Sequence, residues 1–167
     1  MNDNNPLALQ DHALIGEAGK IPVSPSTPVV SVSPITLSVP GRLVDLQVRV
    51  SAPTSGRDLP IILLSHGQGR SNHLSSLNGY GPVVNFWAAH GFVVIQPTHL
   101  SSKSLGLPPE TRGAPLFWRS RVEDMMHILD RLDQIEAAVP DIAGRLDIGR
   151  VAVVGHSMGG HTAGMLL

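Results

Sequence analysis

The sequence predicts an α/β domain built on a mostly parallel sheet with an N-terminal antiparallel hairpin, and three observations carry that expectation. Residues 35–50 alternate apolar and polar positions about a Pro40-Gly41 turn, as half-buried hairpin strands do. Three later runs, Leu59–Leu64, Phe92–Gln96 and Val151–Val154, are short, apolar and rich in β-branched residues, as strands buried on both faces require. Helical patterns separate them, and the last run breaks directly into Gly155-His156-Ser157-Met158-Gly159, a Gly-x-Ser-x-Gly turn between a strand and a helix.

Length and composition agree with one globular domain. The chain has 167 residues, 42% of them hydrophobic and 15% charged, enough to bury a core. A net charge of −1 provides no basic field for nucleic acid and no polybasic patch for anionic lipid, which leaves small molecules as the expected partners. The absence of cysteine excludes disulfides, thiolate catalysis and cysteine-based metal sites. Met1 to Pro6 carries no basic segment, no uninterrupted apolar core with a cleavage site follows, and no stretch reaches the roughly 20 apolar residues of a bilayer span. The expected location is therefore the cytoplasm.

Taken in order, residues 1–34 read as a Pro/Ser-rich arm, since Pro22, Pro25, Pro28 and Pro34 interrupt any helix or central strand. A patch from Leu7 to Ile15 has room for one turn of helix. Residues 35–167 read as the N-terminal part of a single domain, opening with the hairpin Ile35–Val39 and Leu43–Val50. After a loop at residues 52–58, Leu59–Leu64 is expected as a buried parallel strand ending in Ser65-His66-Gly67-Gln68-Gly69. A helix is expected to begin near Pro82, where a first turn tolerates proline, and to stop at Gly91. Phe92–Gln96 then completes a strand-helix-strand unit with a right-handed crossover. Residues 101–115, with two glycines and three prolines, form an excursion loop near the carboxyl ends of the strands, the edge where open α/β sheets carry their sites. From Leu116 to Val139 the apolar residues Val122, Met125, Leu129, Leu132, Ile135 and Val139 step by three or four, which predicts one long amphipathic helix stopped by Pro140.

The Gly155–Gly159 turn has a chemical logic. A serine hydroxyl attacks well only when it is exposed, next to a base, and close to N–H donors that receive the developing oxyanion. Glycines two before and two after Ser157 permit so sharp a reversal, and the helix N-terminus behind it offers the Met158 N–H to an oxyanion. His156 and His161 read as packing or hydrogen-bonding groups. Tyr80, Trp87, Phe117 and Trp118 are candidates for core or for a pocket wall.

From about residue 35 onward the chain resembles the α/β-hydrolase superfamily. Ser65-His66-Gly67-Gln68-Gly69, then Ala89 to His99, then Arg121 and Asp124 leading Ile128–Leu132, resemble its dienelactone-hydrolase-like and platelet-activating-factor-acetylhydrolase-like branch, close to the chlorophyllases. The resemblance implies cleavage of short-acyl carboxylic esters through an acyl-enzyme on Ser157, without a metal or organic cofactor. It places the second oxyanion N–H on Gln68, the residue after the His-Gly pair. Dienelactone hydrolases proper use cysteine as nucleophile, and serine at position 157 points to the serine-esterase side. His99 follows a strand end and has three readings: pocket wall, structural loop group or base. The superfamily's histidine base comes late in the chain, which disfavours the last.

The superfamily orders its triad as serine, acid, histidine, yet only ten residues follow Ser157. Asp141 and Asp147 precede the strand at its far end and cannot substitute. The expectation is a fragment of a longer hydrolase, with its last strand left as a hydrophobic sheet edge. The competing reading is a noncatalytic truncated hydrolase fold or binding module. Within the enzyme class, an acyltransferase or peptidase shares the same elbow.

Overall fold

A computed structural model describes residues 16–17 and 19–166, so the Leu7 to Ile15 patch lies outside the described residues. Strands β1 (Val29–Leu37) and β2 (Leu46–Pro53) form the expected hairpin, with Val29 opposite Pro53 and Leu37 opposite Leu46. β1 begins well before Ile35, where the sequence reading started regular structure. The reason is positional: β1 is an edge strand, and Pro34 falls at a register shift between Val32 and Ile35, where a missing N–H costs no ladder bond.

The sheet order is β1-β2-β4-β3-β5, with β3 at Leu59–Ser65, β4 at Val93–Pro97 and β5 at Leu146–Gly155. β4 runs antiparallel to β2, whereas β3 is parallel to both β4 and β5. Side-chain alternation explains the unbroken apolar run of β3. Ile61 and Leu63 enter one core cluster with Leu46, Val48, Met125 and Ile128, while Ile62 and Leu64 enter another with Val84 and Val94. Both faces of the central strands are covered, as the sequence required.

Helix α1 (Gly81–Ala89) covers the second face. Pro82 stands in its first turn, and Gly91, at φ 98°, follows its end. The first face is covered by two helices where one long helix was expected: α2 (Trp118–Leu129) and α3 (Leu132–Ala138), separated at Asp130 and Arg131. Periodicity could not reveal the break. Buried Ile128 and Ile135 are seven residues apart, nearly two full turns, so they share a face whether or not the helix is interrupted.

Among the described residues β5 pairs only with β3, and its apolar side chains are at most half-buried; Ile148 is exposed. The expected open edge is thus present. Helix α4 (Met158–Gly164) leaves β5 through the glycine turn. No described helix is long and apolar enough to cross a membrane.

Candidate active site

The elbow is built by close packing of β5's end on β3's end. The His156 N–H donates to the Ser65 carbonyl at 3.3 Å. A Cβ at Gly155 would run into the backbone of Gly159 and Gly160, and a Cβ at Gly159 would run into the Ser65 carbonyl. Both glycines are therefore required by contact with backbone that cannot move aside. Between them Ser157 is held at φ 53°, ψ −118°, a conformation a serine rarely adopts, and its side chain is exposed and does not cap α4. Strain of this kind costs about 1–3 kcal/mol and persists only where the surroundings enforce it.

The loop after β3 lies against this turn. A Cβ on Gly67 would stand 3.4 Å from Ser157 Cβ and 3.2 Å from the His156 carbonyl, so the loop approaches the serine as closely as backbone permits. Gln68 follows at once, and its side-chain amide donates to the Pro115 carbonyl at 2.9 Å. Among the described residues its own N–H has no backbone acceptor. Met158 opens α4, where the first-turn N–H groups lack intrahelical partners. Ser157, Gln68 and Met158 thus belong to two backbone segments in direct contact.

Tyr80 ties the two segments together, a role that its residue type alone did not signal. Its hydroxyl accepts the Gly67 N–H at 3.0 Å and donates to His156 Nδ1 at 3.1 Å. The residue sits at φ 63° at the start of α1. His161, one turn into α4, meets the Trp118 ring edge-on at 4.4 Å between centroids. Both histidines act as the packing and hydrogen-bonding groups expected of them.

Beneath the loop lies a buried polar network. His99 is fully buried, and its ring joins Ser65 Oγ at 2.9 Å through Nε2 and Asp124 Oδ2 at 2.8 Å through Nδ1. Both ring nitrogens are engaged within this network, which favours the structural one of its three readings. Burial, only partly offset by Asp124, lowers its pKa to about 4, so the ring is neutral with Nδ1–H donating to the carboxylate. Ser65, His99 and Asp124 have the distances of a catalytic triad, yet Ser65 is inaccessible, so no substrate can reach it. Burial and the neighbouring His99 likewise lower His66 to about 2. Its Nδ1–H donates to the Gly67 carbonyl at 2.6 Å and its Nε2 accepts the His99 N–H at 3.0 Å.

Asp124 is gripped by Arg42 at 2.8 Å and 3.2 Å. Burial alone would raise the carboxyl, but the hydrogen bonds from His99 and Arg42 outweigh it and hold the group ionised. The Arg42 guanidinium also donates to the carbonyls of Val44, Asp45 and Thr98, which fastens the hairpin turn to the end of β4.

Beside α2 opens a cavity of about 620 Å³. Leu43, Leu100, Phe117 and Trp118 supply apolar wall, and Arg112 and Arg119 add cationic groups. Trp118 therefore faces the cavity while touching the elbow helix through His161. Of the four aromatic candidates Phe117 and Trp118 line this space, whereas Trp87 and Tyr80 pack against the second core cluster.

Comparison with known proteins agrees with this fold. Residues 27–166 match the model of the chlorophyllase family. No curated protein matches the chain. Among solved structures, an esterase from Pyrobaculum calidifontis is similar with a TM-score of 0.53 and 22% identity, over 94% of this chain and 43% of that one. An inhibited esterase B from Lactobacillus rhamnosis gives 0.55 and 17%, over 96% and 46%. A putative dipeptidyl aminopeptidase IV from Bacteroides ovatus gives 0.61 and 18%, over 85% and 19%. The chain spans less than half the length of each of these proteins, and at such identities the likeness shows the fold. With the family match extending from β1 through the elbow helix, the chain belongs to the chlorophyllase family and has the α/β-hydrolase fold.

Proposed function

We propose that Ser157 is the nucleophile of a carboxylic-ester hydrolase acting on small esters. The observation that carries this reading is the strained, exposed Ser157 held against Gly67 by glycines that cannot be replaced. Ser157 Oγ attacks the acyl carbon, and the carbonyl oxygen becomes an oxyanion held by the N–H groups of Gln68 and Met158. The Ser157 proton passes to a histidine and then to the departing alcohol, which leaves the acyl group on Oγ. Water next attacks the ester formed with Ser157, giving its proton to the same base and releasing the acid and the free serine. No step requires a metal or an organic cofactor.

The base is the open element. His156 is bonded to Tyr80, and His66 and His99 are spent on the buried network. We therefore assign the base and its orienting acid to residues other than these three histidines and their partners. A noncatalytic role for this chain alone has the same observation in its favour. The cavity beside Trp118 is the proposed seat for the apolar part of the ester.

Turnover of p-nitrophenyl acetate, together with labelling by a fluorophosphonate, tests the proposal. Both are expected in the full natural gene product and absent in Ser157→Ala. Turnover surviving in Ser157→Ala would remove the proposed nucleophile, and a folded, unlabelled protein would favour the noncatalytic reading.

A further inference from the structure

Arg121 is fully buried in α2, and among the described residues no carboxylate lies within ion-pair distance of it; the neighbouring Asp124 spends its oxygens on Arg42 and His99. A buried guanidinium without a direct counter-ion is an expensive choice where an apolar side chain would fill the space. Its partners show what the charge is used for. Nη2 donates to the His66 carbonyl and to Ser65 Oγ at 3.2 Å, Nη1 donates to Ser101 Oγ at 2.6 Å, and Nε donates to Thr162 Oγ1 at 2.9 Å. The Thr162 hydroxyl in turn donates to the Met158 carbonyl at 3.1 Å.

These bonds reach both halves of the oxyanion site. His66 belongs to the peptide immediately before the one that carries the Gln68 N–H, and Met158 carries the other donor. A planar fork with five N–H groups in fixed directions sets the separation of its acceptors, which an ammonium cannot do. We propose that Arg121 is a positioning residue that fixes the spacing between the Gln68 and Met158 amides, directly through His66 and indirectly through Thr162. This role rests on the reading of Ser157 as nucleophile. Arg121 touches neither substrate nor oxyanion. Its effect is geometric, because donors misplaced by about 1 Å forfeit much of their transition-state stabilisation.

The test compares Arg121→Lys, Thr162→Val and Ser157→Ala in the full natural gene product, with kcat expressed per active site titrated by a fluorophosphonate. Thr162→Val removes only the relay to Met158 and keeps the guanidinium, so it carries the test if Arg121→Lys does not fold. Arg121→Lys is expected to lose about 10²-fold in kcat with KM changed by less than about twofold, and Thr162→Val about tenfold with the same signature. Wild-type kcat per titrated site in both variants, even with fewer sites titrated, would make the role purely structural and overturn the proposal. Turnover persisting in Ser157→Ala would remove the nucleophile itself, whatever the Arg121 variants show.

Discussion

Replacing Asp124 by alanine should be among the most destabilising single changes in this domain. The carboxylate is held by Arg42 at 2.8 Å and 3.2 Å and receives the His99 Nδ1–H at 2.8 Å. The Arg42 and Asp124 side chains are only 4% and 1% exposed, so solvent screens the pair little. Removing one partner leaves Arg42 as a buried, uncompensated cation, which costs about 3–5 kcal/mol, against about 0–1 kcal/mol for an exposed pair. The orphaned His99 N–H would add about 1–3 kcal/mol if independent, but it shares the carboxylate with Arg42 and the terms do not simply sum. Against a total stability of about 5–15 kcal/mol the expected loss is severe. Urea unfolding followed by circular dichroism should show a lower midpoint at unchanged slope. Adding Arg42→Met to Asp124→Ala should recover part of the loss, because no cation is then left alone. A loss below about 1 kcal/mol, or a further loss on adding Arg42→Met, would refute the reasoning.

Three other outcomes follow from the geometry. Gly159→Ala drives a methyl group into the Ser65 carbonyl, so the elbow or β3 must move; at least about 1–3 kcal/mol of stability and the fluorophosphonate labelling of Ser157 should be lost, and a labelled variant with wild-type stability would contradict the packing. Tyr80→Phe leaves the Gly67 N–H and His156 Nδ1 without their partner, and kcat should fall about tenfold while the fold persists; an unchanged kcat would show that the tie between the segments is dispensable. Lowering the pH from about 6.5 toward about 4 should reduce stability, because the unfolded chain then binds a proton that the buried His99 ring refuses. The depressed His66 acts in the same direction and extends the loss below that window, and so does Asp124 once the pH nears the ordinary carboxylate range. Thermal unfolding should be flat in pH above about 7 as far as these groups are concerned, and a midpoint that rises on acidification would contradict the assignment of His66 and His99 as neutral and of Asp124 as ionised in the fold.

Much of the scaffold was legible in the sequence because it depends on short-range rules. Alternation located the hairpin, apolar runs located β3, β4 and β5, and the glycine spacing located the elbow that the structure shows at Ser157. What escaped was decided by tertiary contact. Pro34 makes the expected strand begin too late, because its tolerance depends on β1 being an edge strand, which no local pattern reveals. The break between α2 and α3 was invisible because a seven-residue spacing preserves the apolar face. The buried network was the largest surprise: Arg121, Asp124, His99 and Ser65 are dispersed over two strand ends and a helix, and their chemistry reads as surface or pocket until burial is known. In the sequence Arg121 and Asp124 carry a resemblance but not a role. Tyr80 reads as a generic aromatic, since only the fold brings its hydroxyl to Gly67.

The central claim is that Ser157 and two backbone amides form one acyl-transfer site. The most direct test is a crystal structure of the full natural gene product after reaction with a fluorophosphonate. The account predicts phosphorus bonded to Ser157 Oγ, with the phosphoryl oxygen about 3 Å from both the Gln68 and the Met158 nitrogen. An unmodified Ser157, or an adduct whose oxygen points away from both amides, would contradict it.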